Sequence, residues 1–340
     1  MRLLKIMQLS AKRRKARAII AVAALLVTSC VACAQLPATE LPATQLPATQ
    51  VAPAAPPSPV SGIRNKISAG DLFSAESILE THRAKNGEDG PWLVGLSWLA
   101  RGAFLLGDTG TSGRYTGLVR AACAERLAGG ADMEKDHDLE IAYGAAIEVE
   151  AQRLERASGA GQAAEYVRSE LGRVKGPVSL TSRLQKRINM LTLTGEQAPE
   201  LEAEEFIGSP PPTLASLRGS PVLLFIWYEG CGDCKAQAEV LARMRSRYEG
   251  RGLKVVALTR YYQEEGGRAK EKAAMDSVWN AVYAGVGAVP MVISTASMER
   301  YGGSSTPTFV FLDRAGIVRR YTPTRLTEEE IDRTLAPLMR

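Results

Sequence analysis

Val222-Leu223-Leu224-Phe225-Ile226-Trp227-Tyr228-Glu229-Gly230-Cys231-Gly232-Asp233-Cys234-Lys235 is the stretch that decides the fold. Its unbroken apolar run, Val222 to Trp227, reads as a short strand buried on both faces, since a half-exposed strand would alternate. Helical periodicity follows, with Ala238, Leu241 and Met244 on one face of a helix from about Cys234 to Tyr248. Cys231 and Cys234 fall at the junction. Two intervening residues at a helix entrance bring two sulfurs within bonding reach and leave the first facing solvent. Unpaired helix amides and the helix dipole favour a thiolate there, and the thiolate is the attacking species. C-x-x-C beside a βαβ pattern therefore reads as a redox dithiol. A zinc site would need a second ligand pair, and Cys123, His82 and His137 do not supply one at a recognisable spacing. A purely structural disulfide would not need this junction. We expect no metal and no cofactor.

Outward from this stretch, Lys254 to Thr259 reads as a second strand, 268–287 as a helix and Val289 to Ile293 as a third strand. Thr308–Leu312 and Ile317–Tyr321 flank an Asp313–Gly316 turn as a hairpin. Thr327 to Met339 is a closing helix with Thr327 as its N-cap. Residues 196–340 are thus expected to form an α/β domain, a mixed sheet flanked by helices. Residues 61–195 read as an all-α domain, a bundle of six or so antiparallel helices. Its apolar stripes include Leu72, Ala75 and Leu79; Trp92, Leu96, Leu99 and Leu106; Leu118 with Ala122; and Leu180, Leu184 and Ile188. Cys123 lies within one stripe and reads as a small core residue.

Residues 225–235 resemble the active-site segment of the thioredoxin superfamily. Ser305-Thr306-Pro307-Thr308, followed by apolar residues, is similar to its cis-proline loop. The insertion at about 260–293 and the Ala198-Pro199…Leu217-Arg218-Gly219 lead-in resemble the exported TlpA-like branch of thiol-disulfide reductases. The resemblance covers about residues 197–340. It implies a thioredoxin fold, Cys231 as nucleophile, Cys234 as resolving thiol and a disulfide between them in the oxidised state. It also implies that Pro307 is the cis-proline facing them and that the Thr306 backbone pairs with an extended substrate strand. Thr306, Trp227 and Gly230 are the expected substrate-facing residues.

The departures from the family pattern are specific. Gly230 stands where thioredoxins commonly have Trp, which opens the site. Asp233 replaces a proline, and its charge should oppose thiolate formation and favour a less oxidising couple. The buried acid of thioredoxins would fall at Phe225, and the acid of TlpA-like proteins at Gln237. Neither position is acidic, which leaves Glu229 or water to move the Cys234 proton. Asp233, Glu229 and Gln237 are the expected tuning residues.

The resulting expectation is an oxidoreductase that reduces protein disulfides and is itself re-reduced by a membrane electron donor, since the chain has no dinucleotide fingerprint. Two alternatives stay open: an interaction protein whose helical domain binds a partner protein, and a thiol peroxidase. Peroxiredoxins share the fold but carry Thr or Ser three residues before the reactive Cys, where this chain has Tyr228.

Composition excludes other classes. With 45% apolar and 23% charged residues, the 340-residue chain is neither disordered nor a disulfide mini-scaffold. The formal charge of +5 is terminal in origin: Arg2, Lys5, Lys12, Arg13, Arg14, Lys15 and Arg17 precede any acid, and without these seven it becomes −2. No nucleic-acid footprint remains. That basic stretch, the apolar run Ala18–Val27 and the small residues after it read as an export signal. Cleavage after Ala32-Cys33-Ala34 would remove 1–34. The lipobox-like Val27-Thr28-Ser29-Cys30 would instead remove 1–29 and lipidate Cys30. Residues 35–60, with three Leu-Pro-Ala-Thr repeats, read as an extended linker to a domain in the bacterial periplasm or cell envelope. Mass spectrometry of the mature N-terminus is expected to find a diacylglyceryl group on Cys30 or a free or cyclised Gln35. An intact Met1 in a cytosolic fraction would end the export reading.

Overall fold

A computed structural model describes residues 58–263 and 265–340, which lie in one compact unit. The segment read as an export signal, Cys30 and all but the last residues of the proposed linker lie outside them. Seven helices come first among the described residues: α1 Pro59–Ser68, α2 Leu72–Asn86, α3 Gly90–Leu105, α4 Thr109–Ala128, α5 His137–Ser158, α6 Ala160–Arg173 and α7 Val178–Thr192. Helix α1 takes in Pro59 and Val60, which the sequence placed in the linker. Four of these helices begin in the same way. Asp71, Asp89, Asp108 and Asp136 accept the amides of Ser74, Trp92, Thr111 and Leu139. Each such cap contributes about 0.5–2 kcal/mol and stops the preceding turn from fraying into the helix.

The bundle core gathers Ile63, Leu79, Leu93, Leu99, Leu139, Ile147, Val167 and Leu184. Cys123 sits in this core, fully buried, and burial pushes its thiol up to about 12. Leu106 and Leu118 depart from their stripes and are exposed. His82 and His137 lie beside Asp89 and Glu140 respectively, each within an ordinary polar pair.

The second half is a six-stranded sheet of β1 Glu205–Ile207, β2 Val222–Ile226, β3 Lys254–Thr259, β4 Met291–Ile293, β5 Thr308–Leu312 and β6 Val318–Thr322, in the order β1-β4-β3-β2-β5-β6. Strands β2, β3 and β4 run parallel, while β1, β5 and β6 pair antiparallel with their neighbours. Strand β2 is buried along its whole length. Leu223 and Phe225 join the core beneath α9 (Ala238–Tyr248), α10 (Arg268–Val282) and α12 (Glu328–Leu338). Val222, Leu224 and Ile226 join the opposite core with Leu193, Met298 and Tyr301. The mixed sheet with helices on both faces is a thioredoxin-like α/β architecture.

Several boundaries differ from the sequence reading. The helix after the cysteines begins at Gly232 and is broken into α8 (Gly232–Lys235) and α9. At the break the Gln237 amide bonds back to Cys234, three residues away, so the ladder tightens locally. Helix α10 stops at Val282, and β4 starts only after Pro290, which has no amide to give to a ladder. Strand β1, three residues long, and α11 (Thr295–Arg300) are too short to leave a periodic trace in sequence.

The two halves meet where α7 crosses the segment leading to β5. Asn189 donates to the Arg300 carbonyl at 3.1 Å, and Lys186 Nζ donates to Ser305 Oγ at 2.9 Å. Gly302 is the closest approach. Its φ of +62° is left-handed, and a Cβ there would run into the backbone of Lys186. Gly302→Ala is expected to cost about 2–4 kcal/mol in a denaturant titration, from backbone strain and overpacking together. A loss below about 0.5 kcal/mol would mean that this contact is not tight in solution.

Candidate active site

Chain direction puts the dithiol where it is. Strand β2 ends at Ile226, the Trp227 amide donates to the Leu258 carbonyl, and a turn closed by Cys231 N to Tyr228 O brings the chain into α8. Cys231 is the N-cap of that helix. Its Sγ accepts the Cys234 amide at 3.1 Å, and its S–H donates to the Thr306 carbonyl at 3.4 Å. Cys231 is half-buried, whereas Cys234 is fully buried. Burial first, then the hydrogen bond with Cys231, raises the Cys234 thiol above its ordinary value. Cys231, Cys234 and Cys123 are all free thiols.

The facing wall comes from the neighbouring strand, β5. Thr308 pairs with Ile226 in the antiparallel β2–β5 register, so the residues before β5 lie against the residues after β2. The Thr306–Pro307 peptide is cis, Pro307 is buried and Thr306 is half-buried beside Cys231.

The other expected site residues have less uniform placements. Trp227 does not face a substrate: it is fully buried, edge-on to Trp279 and Tyr283, because it continues the inward face of β2. Gly230 is exposed but not bare. A Cβ there would meet the Tyr228 ring at 2.6 Å, so the absence of a side chain is what lets Tyr228 fold across it. Asp233 is exposed and lies 3.3 Å from Arg325, a cation that offsets the charge expected to oppose the thiolate. Gln237 has a different engagement: it is buried, and its Oε1 accepts the Leu326 amide at 2.8 Å, tethering the segment before α12. Glu229 has a buried Oε2 without a partner among the described residues, and burial raises its carboxyl above the ordinary value.

Sequence reasoning passed over three residues near the dithiol. Tyr283 stacks on Trp279 at 4.6 Å, and its buried hydroxyl has no partner among the described residues. Burial chiefly, then the charges of Cys234 and Cys231, oppose its ionisation. Glu271, also buried, accepts the amides of Tyr262 and Gln263 at 2.8 and 3.0 Å and holds the loop after β3. That loop sets Tyr262 against Tyr228, with ring centroids 4.4 Å apart. Tyr261-Tyr262 after a strand was the available signal, but the partner Tyr228 is visible only in space. Among the described residues no cluster of three or more His, Cys, Asp or Glu is arranged to hold a metal, and no helix is long and apolar enough to cross a membrane.

The sheet order, with the dithiol at the end of its central strand, gives this half a thioredoxin-like fold. Residues 194–321 match a family model described as the AhpC/TSA family, which leaves the helical half unmatched. Solved structures similar to the chain include a putative thiol:disulfide interchange protein DsbE from Chlorobium tepidum, at 20% identity, covering 43% of this chain and 98% of that one with a TM-score of 0.35. A secreted disulfide oxidoreductase from Mycobacterium tuberculosis is 21% identical, covering 36% of this chain and 86% of its own with a TM-score of 0.31. A putative protein disulfide isomerase from Bacteroides thetaiotaomicron is 18% identical over 43% of this chain and 89% of its own, with a TM-score of 0.33. No curated protein sequence matches the chain.

The burial difference predicts an order of alkylation. At neutral pH and limiting iodoacetamide, the reduced protein should be modified at Cys231 at least about tenfold faster than at Cys234 or Cys123. Labelling of the other two should rise only toward strongly alkaline pH, because burial keeps the proton on each. Preferential labelling of Cys123 would contradict its place in the bundle core.

Proposed function

We propose that this protein is an exported thiol-disulfide oxidoreductase that reduces protein disulfides through Cys231 and Cys234. The observation that carries the reading is the asymmetry of the pair: a half-buried sulfur that accepts a helix amide, backed by a buried thiol that keeps its proton. As a thiolate, Cys231 attacks one sulfur of a substrate disulfide. The substrate S–S bond breaks, a mixed disulfide forms, and the displaced sulfur leaves as a thiolate that takes a proton. Cys234 then gives up its proton and attacks Cys231 Sγ. The second substrate thiol is released, and the Cys231–Cys234 disulfide holds the two-electron oxidation. Return to the dithiol requires an external donor, for which a membrane electron carrier is the fitting class in an exported protein.

Several roles follow from this reading. Thr306 presents the backbone against which an extended substrate lies, with Pro307 behind it. Gly230 and Tyr228 border the entrance. Asp233 and Arg325 together set the local charge, so the couple is expected to be less shifted by Asp233 than the sequence suggested. Glu229, with one oxygen buried and without a partner among the described residues, is the acid assigned to moving the Cys234 proton. The helical half binds or selects the substrate protein. For the peroxidase alternative, position 228 offers a tyrosine whose ring lies over Gly230, in place of the small hydroxyl that the chemistry uses.

The test combines turnover with trapping. Cys231→Ser is expected to lower insulin reduction by about 100-fold or more, because the nucleophile is lost. Cys234→Ser should accumulate mixed disulfides on Cys231 when expressed in the native compartment. Equilibration with glutathione should give a potential below that of an isomerase, more negative than about −180 mV. Undiminished insulin reduction by Cys231→Ser would refute the assignment. Rapid hydrogen peroxide consumption with slow insulin reduction would favour the peroxidase.

A further inference from the structure

A cleft of about 470 Å³ lies between α7 of the helical half and the active-site end of the sheet. That volume is within the usual range for ligand clefts, about 300–1,000 Å³. Arg183 and Lys186 line it from α7, Arg260 and Tyr262 from the end of β3 and its loop, and Tyr228 and Thr306 from the two active-site segments. Thr306 is the link to the chemistry, since its carbonyl accepts the Cys231 thiol. The wall of this cleft is the helical half, so it is a feature that the thioredoxin-like domain alone would not have.

The charges in the cleft are unbalanced. Arg183 donates to Glu148 at 2.7 Å, but Arg101 bonds to the same carboxylate at 3.1 Å, so two cations share one anion. Lys186 Nζ donates to the neutral Ser305 hydroxyl and makes no ion pair among the described residues. Burial lowers the Lys186 ammonium below the ordinary lysine value, with Glu148 opposing the shift and Arg183 adding to it. Arg260 also makes no ion pair among the described residues. Its buried Nε has no acceptor among the described residues, and its guanidinium sits 4.8 Å from the Tyr262 ring centroid. The one acid in the lining, Glu140, is already beside His137 at 3.1 Å. Arg260 lines the cleft without a carboxylate partner among the described residues, so its guanidinium is the group with which a ligand carboxylate would pair.

We propose that this cleft receives an acidic side chain adjacent to the target cysteine of a polypeptide substrate, so that the protein selects disulfides with acidic flanks. The proposal rests on Cys231 as the attacking thiol. It deepens that reading by assigning the substrate class and by giving the helical half a direct part in recognition. A polypeptide fits better than a small anionic disulfide, because the cleft runs up to the Thr306 backbone, where an extended strand would pair. Lys186 and Arg260 act here as specificity residues, and the electron transfer remains that of the dithiol.

The experiment uses the full chain as a pre-reduced dithiol, freed of reductant, in single turnover against two disulfide peptides that differ only in Glu or Gln beside the cysteine. The Glu peptide should be reduced about tenfold faster at low salt, and the ratio should fall toward one in about 0.5 M salt. Lys186→Gln and Arg260→Gln should each reduce the ratio to about threefold or less, while Lys186→Arg should keep it. Equal rates for the two peptides, or an unchanged ratio in both Gln variants, would overturn the proposal. Glutathione disulfide outpacing the Glu peptide with the same salt dependence would overturn its assignment to a polypeptide. Binding of Ser-for-Cys analogues of the two peptides to Cys231→Ser separates the cleft from the chemistry. Tighter binding of the Glu analogue supports the cleft even if no peptide is reduced, and that second result would count against the oxidoreductase reading alone. Equal binding of both analogues counts against the cleft.

Discussion

Burial of β2 on both faces is the constraint from which the rest of the structure follows. A strand without a solvent face has to be covered above and below, and its five residues divide alternately between two hydrophobic cores. Helices α9, α10 and α12 cover one side. The other is covered by Met298 and Tyr301 of the α11 region and by Leu193 at the end of the helical half. The chain can leave such a strand only at its end, so the first residues with solvent access are those of the turn after Trp227. Cys231 falls there, and the Cys234 amide of the helix that must follow points at its sulfur.

The same burial separates the two thiols. Cys231 stays at the surface of the turn, while Cys234, one helical turn further, is carried back over the core made by Phe225, Trp227 and Tyr283. A low-dielectric setting disfavours a charged sulfur, so the second thiol holds its proton until it is needed. The surrounding charges are arranged at greater range. Asp233 is met by Arg325 in solvent, and such an exposed pair is screened and worth little in stability. Glu229 differs, since one of its oxygens is buried and has no partner among the described residues.

The helical half shares in the site chiefly through α7, with Glu140 of α5 also in the cleft lining. Helix α7 lies so close to Gly302 that only a residue without a Cβ fits, and the Lys186 side chain then reaches Ser305, next to Thr306. The proposed recognition cleft and the Thr306 contact to Cys231 are therefore tied to one stretch, residues 302–308, pinned on one side by α7 and on the other by the β2–β5 ladder. A helical bundle joined by a loose linker could not supply a wall to the cleft in this way. Here the wall is built from the same contacts that hold the two halves in one compact unit.

Much was legible before any coordinates. The apolar run at 222–227, the C-x-x-C at its end, the hairpin at 308–322 and the capped final helix are local patterns, each set by the period of its own side chains or by a nearby turn. They were sufficient for the fold class, for the position of Cys231 and Cys234 between the central strand and its helix, and for the burial of Cys123. The neighbours of the dithiol were not legible, because they are brought together by strand register and helix packing across long separations. Tyr228 meets Tyr262, Asp233 meets Arg325, Gln237 holds Leu326, and Lys186 reaches Ser305. Trp227 was misplaced for a related reason: one residue beyond the strand, a sequence cannot say whether an aromatic ring turns outward or continues the inner face. That choice belonged to Trp279 and Tyr283, which fill the space beneath it. Local periodicity thus determined every strand of the sheet except β1, and where the thiols lie along the chain. Tertiary packing decided which distant charges and rings surround them, since those contacts exist only once both faces of β2 are covered.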